Sequence, residues 1–352
     1  MNANTPIETN RPLHCFAVLT AVATFLLLGA GGLVTSHEAG MSVPDWPNSY
    51  GYNMFLFPPS KWIGGIFYEH THRLLASVVG LMTTILAVWL WRKDSRKWMH
   101  RLGVATFLLV VAQGVLGGLR VTLHMDNLGI FHGIIAQLFF VLTCAIALFT
   151  SQFWVELVAK RKTFSVPCNL RTLVLATTFL IFLQLILGAT MRHQHAGLAI
   201  SDFPLAHGKA WPDTSADAVA RYNAERVDVI SENPITAFQI ILQMIHRLVA
   251  LAILIFVAVC AWQAWRQLGK KDLLAKFALF WLALIVLQIG LGVGTILSNK
   301  AADIATAHVL VGALSLVTGA LWCIIAFGRS AKMPGTETAL FGVFGTFAVN
   351  KQ

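Results

Sequence analysis

The sequence has few charged residues for its length. Of its 352 residues, 12% are Asp, Glu, Lys or Arg and 57% are hydrophobic, whereas a soluble globular domain carries about 25% charged residues. The deficit extends along the whole chain, which excludes a soluble domain attached to a membrane anchor. The net charge is +10, but the basic residues cluster between apolar runs. The basic excess therefore indicates membrane topology and argues against nucleic-acid binding.

Cysteine is also scarce, and it does not occur in paired motifs. The five cysteines stand apart, with no CxxC pair, in apolar runs or in segments that we expect on the cytoplasmic side. A structural disulfide or a zinc site is therefore not expected. The segment before the first apolar run has Arg11 as its only basic residue, too little for a mitochondrial presequence.

Eight apolar runs are long enough to cross a bilayer, which takes about 20 helical residues. We therefore predict an all-α integral membrane protein with eight transmembrane helices. The runs are residues 13–34, 70–91, 102–122, 130–153, 171–191, 237–262, 277–297 and 305–327.

The connections between the runs differ in basic residues. Three are short and basic. The other two are long: segment 35–67 holds one basic residue, and segment 192–236 holds four basic and six acidic residues. The positive-inside rule then places the basic connections and both termini in the cytoplasm. We expect a bacterial inner membrane protein whose two long loops face outward, the second as a solvated cap. The orienting residues are Arg92, Lys93, Arg96, Lys97, Arg101, Lys160, Arg161, Lys162, Arg171, Arg266, Lys270, Lys271 and Lys276.

The two halves of the chain resemble each other. Motifs of the first half recur in the second in the same order, most of them at offsets of 174 to 176 residues. A four-span repeat preserves orientation, so we predict two pseudo-symmetric four-helix bundles, residues 13–153 and 171–327. The matched motifs are His72-Arg73-Leu74 with His246-Arg247-Leu248, Gln113 with Gln288, Gly117 with Gly292, His132 with His308, and, in the outer loops, Asp45-Trp46-Pro47 with Asp202-Phe203-Pro204.

Four histidines lie within the even-numbered spans, or at their outer ends, at equivalent positions of this repeat. An ionisable residue inside a span is costly and is a candidate functional residue. A single histidine of this kind could be a core residue hydrogen-bonded to a hydroxyl or carbonyl. Four histidines at equivalent positions of a repeat are harder to explain in that way. Zinc takes about four ligands, whereas a haem iron takes one or two axial ligands from the protein. We therefore predict one haem in each half, held by His72 with His132 and by His246 with His308.

Residues near these histidines have both a functional and a structural interpretation. Arg73 and Arg247 stand at the outer ends of spans, where a guanidinium can bind a haem propionate or extend to the membrane interface. A group of glycines can clear room for a macrocycle or serve helix packing. These glycines are Gly114, Gly117, Gly118, Gly290, Gly292 and Gly294.

The halves differ three residues before the first histidine of each pair. Glu69 precedes His72, whereas Gln243 precedes His246, and residues i and i+3 share a helix face. A carboxylate can transfer protons or stabilise positive charge, and an amide can do neither. We expect the first site to be reactive and the second to carry electrons; the alternative is a Glu69 that is solvated at the interface.

His70 is a competing ligand candidate. It lies about 200° round the helix from His72, so both cannot face one ring. Its repeat counterpart is Met244, and we therefore favour His72 as the ligand.

The sequence resembles the haem A synthase family over residues 13–327. The segment Glu69-His70-Thr71-His72-Arg73 fits the ExxHR pattern of that family, and the loop 44–47 and the run 113–118 fit as well. The resemblance implies an enzyme that oxidises a methyl substituent of haem O to the formyl group of haem A.

The resemblance also implies residue roles. Glu69 would be the catalytic carboxylate, His72 and His132 would hold the substrate haem O, and His246 and His308 would ligate a resident haem b. A haem O synthase, an electron-transfer partner and the lipid bilayer are the implied partners, and a homo-oligomer is compatible with the sequence. The lack of cysteine in 35–67 favours the proteobacterial and mitochondrial branch over the one with a cysteine pair there.

Two other functions use the same features differently. A di-haem b-type electron carrier, linked to a quinol, needs no reactive carboxylate, so it would tolerate Glu69→Gln. A transporter would have broken helices and polar sites at the midplane, whereas these histidines lie toward the outer ends of their spans.

Overall fold

The structure is a computed structural model that describes residues 10–159, 166–226 and 234–330. Within these ranges the chain forms ten α-helices, eight of them long and apolar enough to cross a membrane. The predicted all-α membrane architecture with eight spans is confirmed. The helices are α1 (Arg11–Ser36), α2 (Gly65–Lys93), α3 (Lys97–Thr122), α4 (Asn127–Thr150), α5 (Gln152–Ala159), α6 (Cys168–His193), α7 (Ala216–Glu225), α8 (Ala237–Leu268), α9 (Leu273–Leu297) and α10 (Ala302–Ser330).

Capping residues set several helix ends. The Asn10 side chain accepts the Leu13 N–H at 3.1 Å at the start of α1. Thr236 and Gln239 form a capping box at the start of α8. Such caps satisfy N–H groups that have no partner within the helix. Only the fourth span ends earlier than predicted, at Thr150, because the chain becomes extended at Ser151 before the short α5.

The eight spans form two rings of four helices. In the first ring, α1, α2, α3 and α4 each pack on the next, and α4 closes on α1; α6, α8, α9 and α10 form the second ring in the same way. The rings meet where α10 packs on α1 and α4, and where α4 packs on α6. Each ring falls within one predicted half, and the division into two pseudo-symmetric domains stays a prediction.

The outer loops of the two halves share local structure. In the first loop, the Asp45 carboxylate accepts the backbone N–H groups five and six residues later, both at 2.7 Å. In the second, Asp202 accepts the N–H groups five and six residues later at 2.8 and 2.9 Å. The two loops therefore share this Asp–amide turn beside α2 and α8.

Part of the predicted topology lies outside the described residues. This applies to Lys160, Arg161 and Lys162, to residues 227–233 of the second outer loop, and to both chain termini. The chain is a multi-pass membrane protein by its eight apolar helices, while the orientation of the termini stays a prediction.

Candidate functional sites in the two helix rings

Each ring brings together the two members of one predicted histidine pair. His72 on α2 faces His132 on α4, and their imidazoles are close enough to interact electrostatically. His246 on α8 and His308 on α10 have ring centroids 6.4 Å apart, at an interplanar angle of 57°. The paired helices face each other across their ring, so each pair points into the interior of a four-helix bundle.

The spacing of the second histidine pair fits an iron between the two imidazoles. A metal–imidazole bond is about 2 Å long, and the centre of an imidazole lies about 1 Å beyond the bonded nitrogen. The centres of two imidazoles that bind one iron are therefore about 6 Å apart. The 6.4 Å between the centres of His246 and His308 agrees with this distance. The Nδ1 atom of His246 is buried, without a hydrogen-bond partner among the described residues. A buried polar atom without a partner is costly. The donor set and its environment therefore suit a haem in each ring.

Each of the four histidines lies against a glycine of a neighbouring helix. A Cβ atom at Gly31 or Gly292 would lie 3.1 Å from a histidine Cε1, which is closer than ordinary contact. These glycines let the imidazoles approach the helix backbone, as small residues do at membrane helix interfaces. The pairs are Gly31 with His72, Gly117 with His132, Gly188 with His246, and Gly292 with His308.

The sequence indicated only some of these glycines. Gly117 and Gly292 were among the candidates, whereas Gly114 and Gly290 have nothing within 4 Å of an added Cβ. Gly118 and Gly294 lie against Trp46 and Ile304 instead of a histidine. Gly31 and Gly188 escaped notice because they lie far from their histidines in sequence. Only the contact of α1 with α2, and of α6 with α8, brings them to the sites.

Glutamines one helical turn before three of these glycines contact the same histidines. They add polar contacts to helix packing and position the ligand-bearing segments of α4, α8 and α10. The contacts are Gln113 Nε2 donating to the His132 carbonyl at 3.2 Å, Gln184 Nε2 donating to the His246 carbonyl at 2.9 Å, and His308 Nδ1 lying 3.1 Å from the Gln288 carbonyl.

Glu69 is buried, with 4% of its surface exposed, so the alternative of a solvated Glu69 is wrong. Its Oε1 accepts a hydrogen bond from Arg73 Nη2 at 2.7 Å, and its Oε2 accepts the Val43 N–H at 2.8 Å. The carboxylate thus sits one turn from His72, fixed by an ion pair and by the first outer loop.

Arg73 is held by the same loop. Its Nη1 donates to the carbonyls of Asp45 and Asn48, and its Nη2 donates to the Val43 carbonyl as well as to Glu69. In the second half, Arg247 donates to two loop carbonyls at the matching positions, 202 and 205. Both arginines therefore tie an outer loop to a span, and a propionate contact for either one stays a prediction.

Gln243 anchors the second outer loop as Glu69 anchors the first. It is 2% exposed, its Oε1 accepts the Ile200 N–H at 2.7 Å, and its Nε2 donates to the carbonyls of Gly197 and Ile200. The two side chains occupy equivalent positions and differ mainly in charge. An ionisable group at this position is present in the first half only.

A second difference between the halves adjoins Glu69. His70 is fully buried, and its Nδ1 lies 3.1 Å from Ser49 Oγ, between the rings of Phe57 and Trp62. His70 thus faces the outer loop, while His72 faces His132. The counterparts of Ser49 and His70 are Ala206 and Met244, which belong to an apolar cluster.

Comparison with known proteins places the chain among cytochrome oxidase assembly proteins. Residues 14–320 match the model of the COX15-CtaA family, which is described as "Cytochrome oxidase assembly protein". The chain belongs to this family.

Relatives covering nearly the full chain carry one name, heme A synthase. The protein of Lysinibacillus sphaericus is 25% identical over 328 residues, which span 92% of this chain and 98% of the relative. That of Wolbachia pipientis wMel is 27% identical over 337 residues, spanning 85% and 88%. That of Shewanella oneidensis is 24% identical over 327 residues, spanning 85% and 92%. The identities are similar, so the branch within the COX15-CtaA family stays a prediction.

Two arginines near the sites of this COX15-CtaA protein were missed by sequence reasoning. Arg120, in the last turn of α3, interacts electrostatically with His72 and His132. Arg192, near the end of α6, interacts with His308. Neither has a basic counterpart in the other half, so the internal repeat gave no signal for them.

Proposed function

We propose that this chain is a haem A synthase, which oxidises a methyl substituent of haem O to the formyl group of haem A. Membership of the cytochrome oxidase assembly family and the shared name of the relatives support this activity. The observation that carries the proposal is a histidine pair in each ring, with the buried carboxylate of Glu69 one helical turn from His72 and the amide of Gln243 at the equivalent position of the second ring. That asymmetry suits one reactive site and one electron-carrying site.

His72 and His132 bind the substrate haem O, and His246 and His308 bind a resident haem b. When bound, the haem b supplies one-electron transfer. The glycines Gly31, Gly117, Gly188 and Gly292 leave space for the four imidazoles, and the neighbouring glutamines fix the helix segments that carry them. The chain's part is thus to hold both groups in apolar, water-poor rings.

Glu69 is the catalytic carboxylate of the first ring. A positioned carboxylate can take up a proton or support positive charge that develops during oxidation. Arg73 and the Val43 N–H hold the carboxylate in place, so it does not have to be ordered during the reaction. Gln243 keeps the same loop contact without this capacity, in keeping with an electron-carrying second ring.

The proposed activity also defines the cellular setting. We place the chain in a bacterial inner membrane with both termini in the cytoplasm, because its basic connections lie on that side. It would receive haem O from a haem O synthase and exchange electrons with a separate partner. Continuous helices in all eight spans do not suit the broken-helix transporter alternative.

The test is pigment analysis of the protein co-expressed with a haem O synthase. After purification in detergent, the pigments are extracted and identified by chromatography with mass detection. We expect haem A, or its hydroxylated precursor, together with haem b. Glu69→Gln should accumulate haem O and keep haem b. The same exchange at the exposed Glu156 on α5 is the matched control and should leave haem A formation unchanged.

Other outcomes of this experiment contradict the proposal. Two equivalents of haem b that are unaffected by Glu69→Gln would establish the di-haem electron carrier instead. A colourless protein would overturn the assignment of all four histidines.

A further inference from the structure

A partly buried cation with no carboxylate partner in the described part of the chain lies where the two rings meet. Arg192 Nη2 donates to the Gly32 carbonyl at 2.5 Å and to Ser36 Oγ at 2.6 Å, both on α1. Among the residues that the structure describes, no carboxylate oxygen lies within 4.0 Å of this guanidinium. Buried charges in proteins are normally paired, so this one calls for an anion.

Arg192 is adjacent to both histidine sites. Gly32, which accepts its hydrogen bond, follows the Gly31 that packs on His72. Ser36, its other acceptor, lies 3.2 Å from the hydroxyl of Thr306, two residues before His308. The guanidinium therefore lies at the interface of the rings, beside the helices that carry or support a ligand histidine of each ring.

Arg120 has a similar deficit of anionic partners. Its side chain is 16% exposed, and its carboxylate partner among the described residues, Asp126 at 2.9 Å, is 58% exposed. Its Nε is buried with no partner among the described residues. Arg120 and Arg192 both interact electrostatically with His193, so the two guanidiniums lie at the same end of the ring interface.

Lys300 adds a third partly buried cation. Its side chain is 20% exposed, and the nearest carboxylate, that of Glu38, lies 3.8 Å away and is half-exposed. Burial lowers the pKa of the Lys300 ammonium, Glu38 raises it and Arg192 lowers it, with a net shift below its ordinary value. The described carboxylates that pair with these cations, Asp126 and Glu38, are not buried.

These arginines differ from Arg73 and Arg247, whose terminal N–H groups are bound to loop carbonyls. They also break the repeat, because the counterpart of Arg120 is Thr295 and that of Arg192 is Thr35. Because Arg120 and Arg192 lie at the interface of the helix rings and have no counterpart in the other half, we expect each to act at the histidine site that it adjoins. Guanidinium groups bind carboxylates through paired N–H groups.

We infer that Arg120 and Arg192 form a carboxylate-binding cluster at the ring interface, which takes the propionate groups of the bound haems. Arg120 serves the haem of the first ring and Arg192 that of the second. This inference rests on the proposed function, because it needs a haem in each ring.

The test compares haem b with its propionate dimethyl ester. Protein produced in haem-depleted cells is reconstituted in detergent with either compound, and affinity is followed by the optical spectrum. A charge-assisted hydrogen bond contributes about 1.5–3 kcal/mol, so we expect the wild type to bind the ester roughly ten- to hundredfold more weakly. Arg192→Gln should weaken haem b binding by a similar factor and bind both compounds equally.

Two further variants separate charge from packing. Ser36→Ala removes one hydrogen bond of Arg192 but keeps its charge, and it should bind haem b as the wild type does. Arg192→Lys keeps the charge without paired N–H groups and should be intermediate. Arg120→Gln is examined in the same way with haem O and its ester.

Equal binding of haem and ester by the wild type would overturn the inference and assign the cations to a free anion or to packing. So would an ester penalty that persists unchanged in Arg192→Gln. If that variant does not fold, the wild-type comparison and Arg192→Lys still decide. If the wild type binds no haem, the proposed function itself is contradicted. If it makes haem A but binds haem b and the ester equally well, only this inference is contradicted.

Discussion

The backbone N–H of Val43 donates a 2.8 Å hydrogen bond to Oε2 of Glu69, 26 residues further along the chain. Ile200 makes the equivalent bond to Gln243 at 2.7 Å. One position in each half therefore anchors the outer loop to the span that carries a ligand histidine. In the first half this anchor is also the buried carboxylate one helical turn from His72, so under the proposed function stability and chemistry would depend on one residue.

Glutamine at position 69 should still anchor the first outer loop, whereas leucine should not. The amide in Glu69→Gln can accept the Val43 N–H as Gln243 accepts that of Ile200, so we expect thermal stability near that of the wild type. Glu69→Leu leaves that N–H without a partner and removes the carboxylate that Arg73 pairs with, which costs about 1–3 kcal/mol. Thermal unfolding in detergent and limited proteolysis of loop 38–64 measure both effects. A leucine variant as stable as the wild type would refute the anchoring role.

A methyl group at Gly292 should disturb the second site. A Cβ there would lie 3.1 Å from His308 Cε1, whereas one at Gly290, on the same helix, meets nothing within 4 Å. We expect Gly292→Ala to lower the haem content or change the haem spectrum, and Gly290→Ala to do neither. Haem content per protein and low-temperature optical spectra are the measurements. Equal effects of the two alanines would mean that helix propensity, and not contact with His308, governs this region.

The spans were predictable because a bilayer demands long apolar runs, but several helices extend beyond the predicted runs. The second run was predicted to begin at 70, whereas α2 begins at Gly65. Glu69 and His70 lower the hydropathy there, yet both are buried against the first outer loop, whose Val43 and Ser49 supply hydrogen-bond partners. Polarity in the sequence here reflects contact with the loop rather than the end of a helix.

The histidine pairs were suggested by the repeat, since residues that perform the same task recur in both halves. The roles of the arginines were not. For Arg73 the sequence left both a propionate contact and a position at the membrane interface open. The loop carbonyls that bind it come from residues 43–48, and their position depends on how the loop folds back. Arg120 and Arg192 have no counterparts, so only the three-dimensional packing of the rings reveals them.

Lowering the pH should destabilise the second outer loop, because Asp202 becomes protonated. Burial acts to raise the pKa of Asp202, but hydrogen bonds from the backbone N–H groups of Gly208 and His207 outweigh it, so the pKa lies below its ordinary value. Ionised Asp202 therefore stabilises the loop. This contribution is fully present above the ordinary pKa of about 3.9 and is lost as the pH falls through the lower, folded-state value.

Pepsin cleavage of the second loop between about pH 2 and 5 measures this effect. Cleavage in the wild type should rise as the pH falls through that range, beyond the change in pepsin's own activity. Asp202→Asn should be cleaved readily throughout, with no such rise. Asp45→Asn, the matched exchange in the first loop, should leave cleavage of the second loop as in the wild type. A wild-type loop whose susceptibility follows pepsin activity alone would rule out a role for the Asp202 carboxylate.

Labelling of Cys168 should fix the orientation of the chain. Cys168 is exposed at the start of α6, whereas Cys260 and Cys323 are buried. The basic connection before α6 places Cys168 in the cytoplasm, so a membrane-impermeant maleimide should label it in inside-out vesicles and not in intact spheroplasts. Cys15, which is also exposed, is replaced by serine in all samples so that one site reports.

The matched reporter is Ser60→Cys with Cys168→Ser, because Ser60 is exposed in the first outer loop. It should be labelled in spheroplasts and protected in inside-out vesicles, the reverse of Cys168. If the two patterns are exchanged, the loops that cover the histidine sites face the cytoplasm, and Glu69 would then exchange protons with that side through the first loop. Labelling of both positions from one side would instead require an even number of spans between residues 60 and 168. That result would contradict the three spans α2, α3 and α4, because α5, with eight residues, is too short to add a fourth.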